Sequence, residues 1–330
     1  EAFWETVKSQ FSFAEGLTYF NNGSLGASPK IIRKATNQFR DTLDDFPSKY
    51  MWGGWDEEKE IVRKKTASLF SVSEEEIALI HNTTEGMNLI AKSLDLQEGD
   101  EIILADHEHS SAVSPWKVWQ ESKGIALVRP TLPILPESVD ELVEVFKKAI
   151  TPKTKVISIS HMINTNGMIL PIKEISKMAH EQGILVAVDG AQAAGMFTFD
   201  LKDIENYNTR NLPEVLGFGA ALDYHDTIGA KKIEARTFEL KAYFRNALKE
   251  HQKLVLKTPA LDSLSAGIQV VEVLGKDVQT VKNRLFDDYG IDCRPMSSFG
   301  LNAVRLSFAI FISKKDIDRL VMALDTIANS

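Results

Sequence analysis

"VAVDGAQAAGMFTFDLKDIENYNTRNLPE" (residues 186–214) begins as a buried strand, turns at a carboxylate and never regains an apolar run. Asp189 closes the strand. Small residues and Gln192 follow, and an acidic turn leads into a polar stretch. A carboxylate in such a place is seldom fully buried without a partner. Upstream, β-type runs alternate with helical ones. The strands are "EIALI" (76–80), "EIILA" (101–105), "IALVR" (125–129), "KVISIS" (155–160) and "ILVAVD" (184–189). Helices such as "ESVDELVEVFKKAI" (137–150) and "IKEISKMAHEQG" (172–183) lie between them. This alternation predicts an α/β fold, with a mostly parallel sheet covered on both faces and right-handed crossovers.

Past Glu205 the pattern changes. One long helical stretch, Glu214 to about His251, leads into "KLVLKT", "IQVVEVL" and "AVRLSF", with helical "DVQTVKNRLFDDYG" among them. The last helix lies in "SKKDIDRLVMALDTIA", with Ser313 as N-cap and Asp316 in support. These elements predict a small α+β domain. Toward the N-terminus, residues 1–20 read as an amphipathic helix and a short extended piece. "PKIIRKATNQFRDTLDDF" (29–46) is helical, with Pro29 suited to a first-turn position. "DEEKEIVRKKTASLF" (56–70) runs from acidic to basic, the order the helix dipole favours.

Composition narrows the function. The 330 residues are 44% hydrophobic and 25% charged, with a net charge of -8. Nucleic acid is excluded as the main partner, because phosphate binding needs a basic face. The single cysteine, Cys293, rules out an internal disulfide framework and a Cys-rich metal site. No apolar run is long enough to span a membrane. The opening "EAFWETVKSQF" lacks an apolar signal core, so a cytoplasmic location is expected; a signal removed ahead of residue 1 stays open.

In an open parallel sheet, ligands sit beyond the carboxyl ends of the strands. The first strand runs through His81, Asn82, Thr83 and Thr84 into a helix, where two hydroxyls and free backbone N–H groups can bind phosphate. The plain alternative is a Thr N-cap. His107 and His109 follow the next strand, as metal ligands without an evident third, as a polar loop, or with an imidazole stacked on a planar ring. His161, Asn164 and Asn166 follow the fourth strand, as an Asn–Gly turn or as amide partners of a ligand. A pyridinium nitrogen would suit Asp189: the ion pair keeps the ring protonated and makes it an electron sink. Gln192 could reach the same ring's substituents. The alternative is a structural Asp capping the next helix.

Together these residues resemble the pyridoxal-phosphate (PLP) enzymes of fold type I, class V aminotransferases, in the isopenicillin N epimerase-like branch related to cysteine desulfurases. "YFNNGSLGASP", "YMWGGWDE", "NTTEGMNLIA", "DHEHSSAVSPW", "SHMINTNGMILPI", "VDGAQAAG", "NTRNLPE" and "VRLSFAIF" follow that pattern in order. Each motif is weak alone; eight in order, over nearly the whole chain, are specific. The resemblance implies that Thr83 and Thr84 hold the phosphate, and that His109, in a Glu108–His109 pair, stacks on the ring. Asn164 and Gln192 would approach the ring hydroxyl and Asp189 the ring nitrogen, with His109 and Asp189 as the catalytic pair. Thr209 would serve the phosphate of a neighbouring subunit, so a homodimer is expected, although the family often has Gly where Asn208 stands. Asn22 and Arg305 would bind an amino-acid substrate, Arg305 by gripping its α-carboxylate. No metal, nucleic acid or membrane is implied. An arm (1–20) packed on the small domain, a large PLP-binding domain (21–230) and a small C-terminal domain (231–330) are expected.

One family feature is missing. The Schiff-base lysine lies in a Ser-x-His-Lys-Trp turn after the strand that follows the Asp strand. Here Ile204 runs directly into "ENYNTRN", the far side of that block. Lys202 sits in a charged turn, and Lys231, Lys232, Lys241 and Lys249 fit the solvent face of a helix; none ends an apolar strand. Either Ile204 and Glu205 are not peptide-bonded and the block lies between them, or the protein lacks it. The first is expected, because a true deletion would strip strands from the sheet and leave edges unpaired. The implied reaction is PLP-dependent chemistry on an amino acid, by epimerisation, Cβ–S elimination or transamination. Desulfuration is disfavoured, because Cys293 reads as a small core residue. The alternative function is a lysine-less PLP-fold protein that binds a ligand or partner without turnover. A dinucleotide-binding protein is weak, because no G-x-G-x-x-G follows the first strand. Trp52 and Trp55 could line the substrate pocket, but packing is the favoured reading.

Overall fold

The computed structural model describes residues 1–199, 201, 208–209 and 212–330, with residues 208–209 and 212–216 given by backbone alone. The first elements are α1 (Ala2–Ser9), β1 (Thr18–Tyr19), α2 (Lys30–Asp45), α3 (Pro47–Met51), α4 (Asp56–Leu69), β2 (Ala78–Leu79) and α5 (Thr83–Ser93). Pro29 is the N-cap of α2, one position ahead of the first turn. Next come β3 (Glu101–Leu104), α6 (Ser110–Lys123), β4 (Ala126–Val128), α7 (Val139–Ala149), β5 (Thr154–Ser160), α8 (Ile172–His180) and β6 (Leu185–Asp189). Strands β4, β3, β5 and β6 pair side by side in that order, all parallel.

The sequence explains why this sheet is parallel: its inner residues are apolar on both faces. Ile157, Ile159, Val186 and Val188 pack with Leu142 and Phe146 of α7 and Ile172 and Ile175 of α8. Ile102, Leu104, Val156 and Ala187 pack on the other face with Met87 and Ala91 of α5 and Ala112 and Trp116 of α6. Burying each large aliphatic or aromatic side chain contributes roughly 1.5–3 kcal/mol. The Trp116 Nε1–H donates to Ser158 Oγ at 3.0 Å, so neither polar atom is left bare in this core. Strand β6 ends the sheet. Among the described residues no strand pairs with its outer edge, although Val186–Asp189 are buried.

Beyond β6 lie β7 (Asn208–Thr209), α9 (Leu212–Ile228), α10 (Ala230–Leu248), β8 (Leu254–Leu256), β9 (Ile268–Val273), α11 (Val278–Tyr289), β10 (Ile291–Asp292), β11 (Arg294–Met296), β12 (Ala303–Ser307) and α12 (Lys314–Asn329). The helix expected to run unbroken to His251 is two helices, α9 and α10. They part at Gly229, whose φ of 93° no β-carbon residue adopts easily. Strands β11, β12, β9 and β8 form an antiparallel sheet. Its core joins Leu240 and Phe244 of α10, Leu285 of α11 and Leu320 and Leu324 of α12. The chain start belongs to this core: β1 pairs in parallel with β10, and Phe20 is fully buried within it. Ser313 caps α12 as expected, in a reciprocal capping box with Asp316. Lys241 corrects the reading of α10. It is 1% exposed rather than on a solvent face, because Asp262 lies 2.7 Å from its ammonium and Ser265 O accepts at 2.9 Å.

Candidate active site

Two strand ends bring the first charges together. In the β5–β6 register Ser160 stands beside Asp189. Asp189 is 5% exposed; its Oδ1 accepts from Ala191 N at 3.0 Å, and among the described residues it forms no ion pair. Burial raises its pKa, while the Ala191 bond and the nearby His109 pull it down. It therefore meets the condition read from sequence: a strand-end carboxylate in want of a cation. Glu108, on the loop after β3, accepts from Ser160 N at 3.0 Å and meets Ser160 Oγ at 2.6 Å. Burial pushes its carboxyl up to about 7, against the pull of the two Ser160 bonds.

His109 is the N-cap of α6, with Nδ1 2.6 Å from Ser111 Oγ. His107 is not in an open polar loop. It is 2% exposed, its Nδ1 lies 3.0 Å from Thr165 Oγ1, and its ring stacks on Phe299 at 4.3 Å between centroids. His161 is buried edge-on to Phe197 and Phe199, its Nδ1 without a partner, and burial lowers its pKa to about 4, so it is a neutral imidazole. Among the described residues no group of three His, Cys, Asp or Glu is placed to hold a metal.

The phosphate candidates open α5. Its cap is Asn82, whose side chain accepts from Glu85 N, so neither threonine is the N-cap. Among the described residues, no hydrogen bond involves the side chain of Thr83 or Thr84 in the first turn, where an anion meets backbone N–H groups and the helix dipole. Thr209 pairs by backbone with Leu79, one strand away from this helix; its side chain lies outside the described residues. So do Lys202 and the Ile204–Glu205 junction.

The second sheet brings the carboxylate candidate to the first. Arg305, 1% exposed, donates from Nη1 to Asn164 O at 2.8 Å and from Nη2 to Ser24 Oγ at 2.6 Å. Its Nε is buried without a partner, and burial with the Arg294 charge lowers its pKa to about 10. The turn carrying Asn164 can approach because Gly167 has a φ of 73°; a β-carbon there would lie 2.4 Å from Ile268 O. Asn166 serves that turn, accepting from Met168 N at 3.1 Å and donating to Ile134 O at 3.1 Å. Asn22 Oδ1 accepts from Ala27 N at 2.9 Å, and Gln192 Nε2 donates to Gly23 O at 2.7 Å, so both amides fasten the N-terminal loop. A cavity of about 570 Å³ adjoins them, reached by Asn22, Gln192, Tyr224 and His225. Sequence reading missed Ser24 as a partner of Arg305, although it stands in the quoted "NNGSLG". The tryptophans divide. Trp55 packs against Phe39 and Tyr50, whereas Trp52 is 87% exposed and packs on nothing that would bury it.

The fold, with a buried carboxylate at a strand end of the parallel sheet, is that of the PLP-dependent enzymes. The sequence profile of the Aminotransferase class-V family matches residues 55–207 and 204–320, and the chain belongs to that family, whose enzymes depend on PLP. The chain is 24% identical to isopenicillin N epimerase of Amycolatopsis lactamdurans, over 97% of this chain and 98% of that one. It is 26% identical to a probable cysteine desulfurase of Halalkalibacterium halodurans, over 82% of each. A solved structure of a C-DES mutant, with glycine covalently linked to its PLP cofactor, superposes with a TM-score of 0.86 at 18% identity, covering 96% of this chain and 98% of that one. The epimerase alignment runs over 396 positions against 330 residues here, so at least 66 of its positions have no residue in this chain. The two stretches of family match meet within residues 204–207.

The residues present fit the ring and phosphate of PLP. The Asp189 carboxylate lacks a cation, and the α5 hydroxyls lack partners among the described residues. Among the described residues none supplies the covalent lysine. Lys241 is the one lysine buried among the described residues, and Asp262 and Ser265 already hold its ammonium.

Proposed function

We propose that the protein is a PLP-dependent enzyme acting on a small amino acid, of the epimerase, C–S lyase or aminotransferase type. The observation that carries this reading is the buried Asp189 carboxylate at the end of β6, which forms no ion pair among the described residues. In this reading Asp189 holds a proton on the ring nitrogen, His109 covers the ring, and Thr83 and Thr84 bind the phosphate. Asn164 and Gln192 approach the ring hydroxyl, and Thr209 contributes to the partner subunit's phosphate site. PLP, so held, supplies an electron sink for a bond broken at the substrate. Arg305, beside Asn22, fixes the substrate carboxylate in a site where burial strengthens the charge–charge attraction. Desulfuration stays disfavoured. It needs a nucleophilic thiol on a mobile loop, whereas Cys293 is 2% exposed and burial pushes its thiol up to about 12.

The absence of a placed lysine among the described residues supports a second reading, a lysine-less PLP-fold protein that binds a ligand without turnover. Borohydride reduction of the PLP-treated protein, followed by intact-mass analysis, separates the two. A reduced lysine adduct supports the enzyme; its absence with retained PLP binding supports the second. In either, Asp189→Asn weakens PLP binding by about tenfold or more, as expected for loss of an ion pair in a buried site; unchanged binding in a fluorescence titration overturns both.

A homodimer belongs to the same proposal. Leu25, Ile31, Phe46, Met51 and Trp52 are exposed apolar side chains within one stretch of chain, a pattern that marks an interface. No helix among the described residues is long and apolar enough to cross a membrane, and the unpaired thiol suits the reducing cytoplasm.

A further inference from the structure

Glu108 is a buried acid to which the proposed site gives no role. It is 7% exposed, and Asp189 is 5% exposed. The two carboxyls meet at adjacent strand ends. Glu108 holds Ser160 at the end of β5, through its N–H at 3.0 Å and its hydroxyl at 2.6 Å. Ser160 in turn stands beside Asp189 in the β5–β6 register, and adjacent strands lie only about 4.8 Å apart. Neither carboxyl forms an ion pair among the described residues. Asp189 faces Glu108 from β6. Arg129, exposed beyond β4, donates to Asp106 O at 2.9 Å, and its charge acts on Glu108 less than that of Asp189 does. His161, after β5, is the neutral imidazole set edge-on to Phe197 and Phe199. On the loop of Glu108 itself, His107 turns to Thr165, His109 to Ser111, and Asp106 accepts from Leu132 N. Two buried carboxyls so placed, with no cation between them, do not both ionise readily, so one keeps a proton. Burial, with the Asp189 charge in support, makes Glu108 the one that keeps it below pH 7.

We propose that Glu108 is the proton-holding half of a two-carboxyl unit with Asp189, and that it releases its proton when a pyridinium nitrogen settles on Asp189. This rests on the proposed PLP site and adds to it the residue that balances its charge. The Ser160 hydroxyl lets the change occur in place. It accepts from the Glu108 O–H in the neutral state and donates to the carboxylate in the ionised one, across the same contact. The Ser160 N–H donates to the other Glu108 oxygen in both states. One Glu108 O–H bond breaks and the proton passes to solvent. The ionised Glu108 then adds a second negative charge near the ring cation and favours its protonated form. Glu108 is thus a positioning residue, acting on the ring through Asp189.

The test uses the full chain and pyridoxine 5′-phosphate, which carries the ring and phosphate of PLP but no aldehyde to react with a lysine. Calorimetric titration in two buffers of different ionisation enthalpy counts the protons released. At about pH 6 the wild type should release about one proton more than Glu108→Gln, and the difference should vanish at about pH 8.5. Subtracting the variant removes any proton that comes from the phosphate. Between those two pH values the wild-type affinity should rise about tenfold relative to Glu108→Gln, the size of a shift of about one pKa unit. Equal proton release, or affinities that run parallel with pH, overturns the proposal. Infrared difference spectra give a readout that needs no variant. The carbonyl stretch of a buried, protonated carboxyl should be present in the free wild type at about pH 6 and lost on binding; its persistence in the complex overturns the proposal as well. If the wild type does not bind pyridoxine 5′-phosphate at all, the PLP site fails and this proposal with it. Binding with unchanged protonation removes Glu108 alone and leaves the site standing.

Discussion

Glu108 and His161 flank the same strand end with opposite liabilities. Glu108 titrates near 7 in the fold against an ordinary 4.5, because burial penalises its charge. The unfolded chain loses that proton first, so its contribution to stability falls as pH rises from about 4.5 through 7. His161 titrates near 4 against an ordinary 6.5, again through burial. The unfolded chain gains that proton first, so stability falls as pH drops from 6.5 through 4. The two slopes oppose each other between 4.5 and 6.5, and urea unfolding of the wild type should show a plateau from this pair. Glu108→Gln should remove one slope, making the variant more stable relative to wild type toward pH 8, by an amount on the order of 3 kcal/mol. His161→Gln should do the same toward pH 4. Parallel curves for wild type and both variants would show that neither group is buried in its charged form. Asp189 was legible at this scale, because a carboxylate ending an apolar run is a local signal. The Glu108–Ser160 bond was not, because it joins residues 52 apart along the chain. Lys241 was misread for the same reason: its burial comes from the distant Asp262 loop and not from its own helix pattern.

Helix α5 shows what an element does for the site. Its first turn lies at a strand end, capped by Asn82, and among the described residues no side-chain hydrogen bond engages Thr83 or Thr84. Asn82→Ala should lower stability by about 1 kcal/mol, the usual worth of such a cap, measured by thermal or urea unfolding. Inorganic phosphate should restore part of that loss if the turn is an anion site; equal stabilisation of a Thr83→Val, Thr84→Val variant would remove the hydroxyls from the role. The strands of the parallel sheet, and β8, β9 and β12 of the antiparallel one, were legible as apolar runs; β11, with the sequence Arg-Pro-Met, was not, and β2 shrank to Ala78–Leu79 because a 3-10 turn occupies Glu74–Glu76. The break between α9 and α10 was marked by Gly229 in "TIGAKK", yet helical periodicity on both sides masked it.

At the scale of the molecule, the two cores meet around the Asn164 turn and the N-terminal loop. Arg305 reaches across from the antiparallel sheet to Asn164 beyond the parallel one, and Gln192 ties the N-terminal loop to the end of β6. Trp52, 87% exposed among other apolar side chains, is where the single chain meets water least comfortably. For the proposed homodimer, Trp52→Glu should shift the sedimentation velocity toward that of a monomer, with little loss of fold; an unchanged sedimentation coefficient would remove this face from the proposed interface. The sequence carried the order of the elements because periodicity is local. It could not carry the convergence of β12, the Asn164 turn and the Ser24 loop, which folding alone brings together.

Cys293 has a practical corollary. As the sole thiol, 2% exposed and held protonated by its surroundings, it offers alkylating reagents no foothold while the fold is closed. Modification must wait for the small sheet to open. The rate at which one mass increment accumulates in a thiol-reactive solution therefore becomes a clock for how often this part of the protein comes apart, with no label to install and no competing cysteine to subtract.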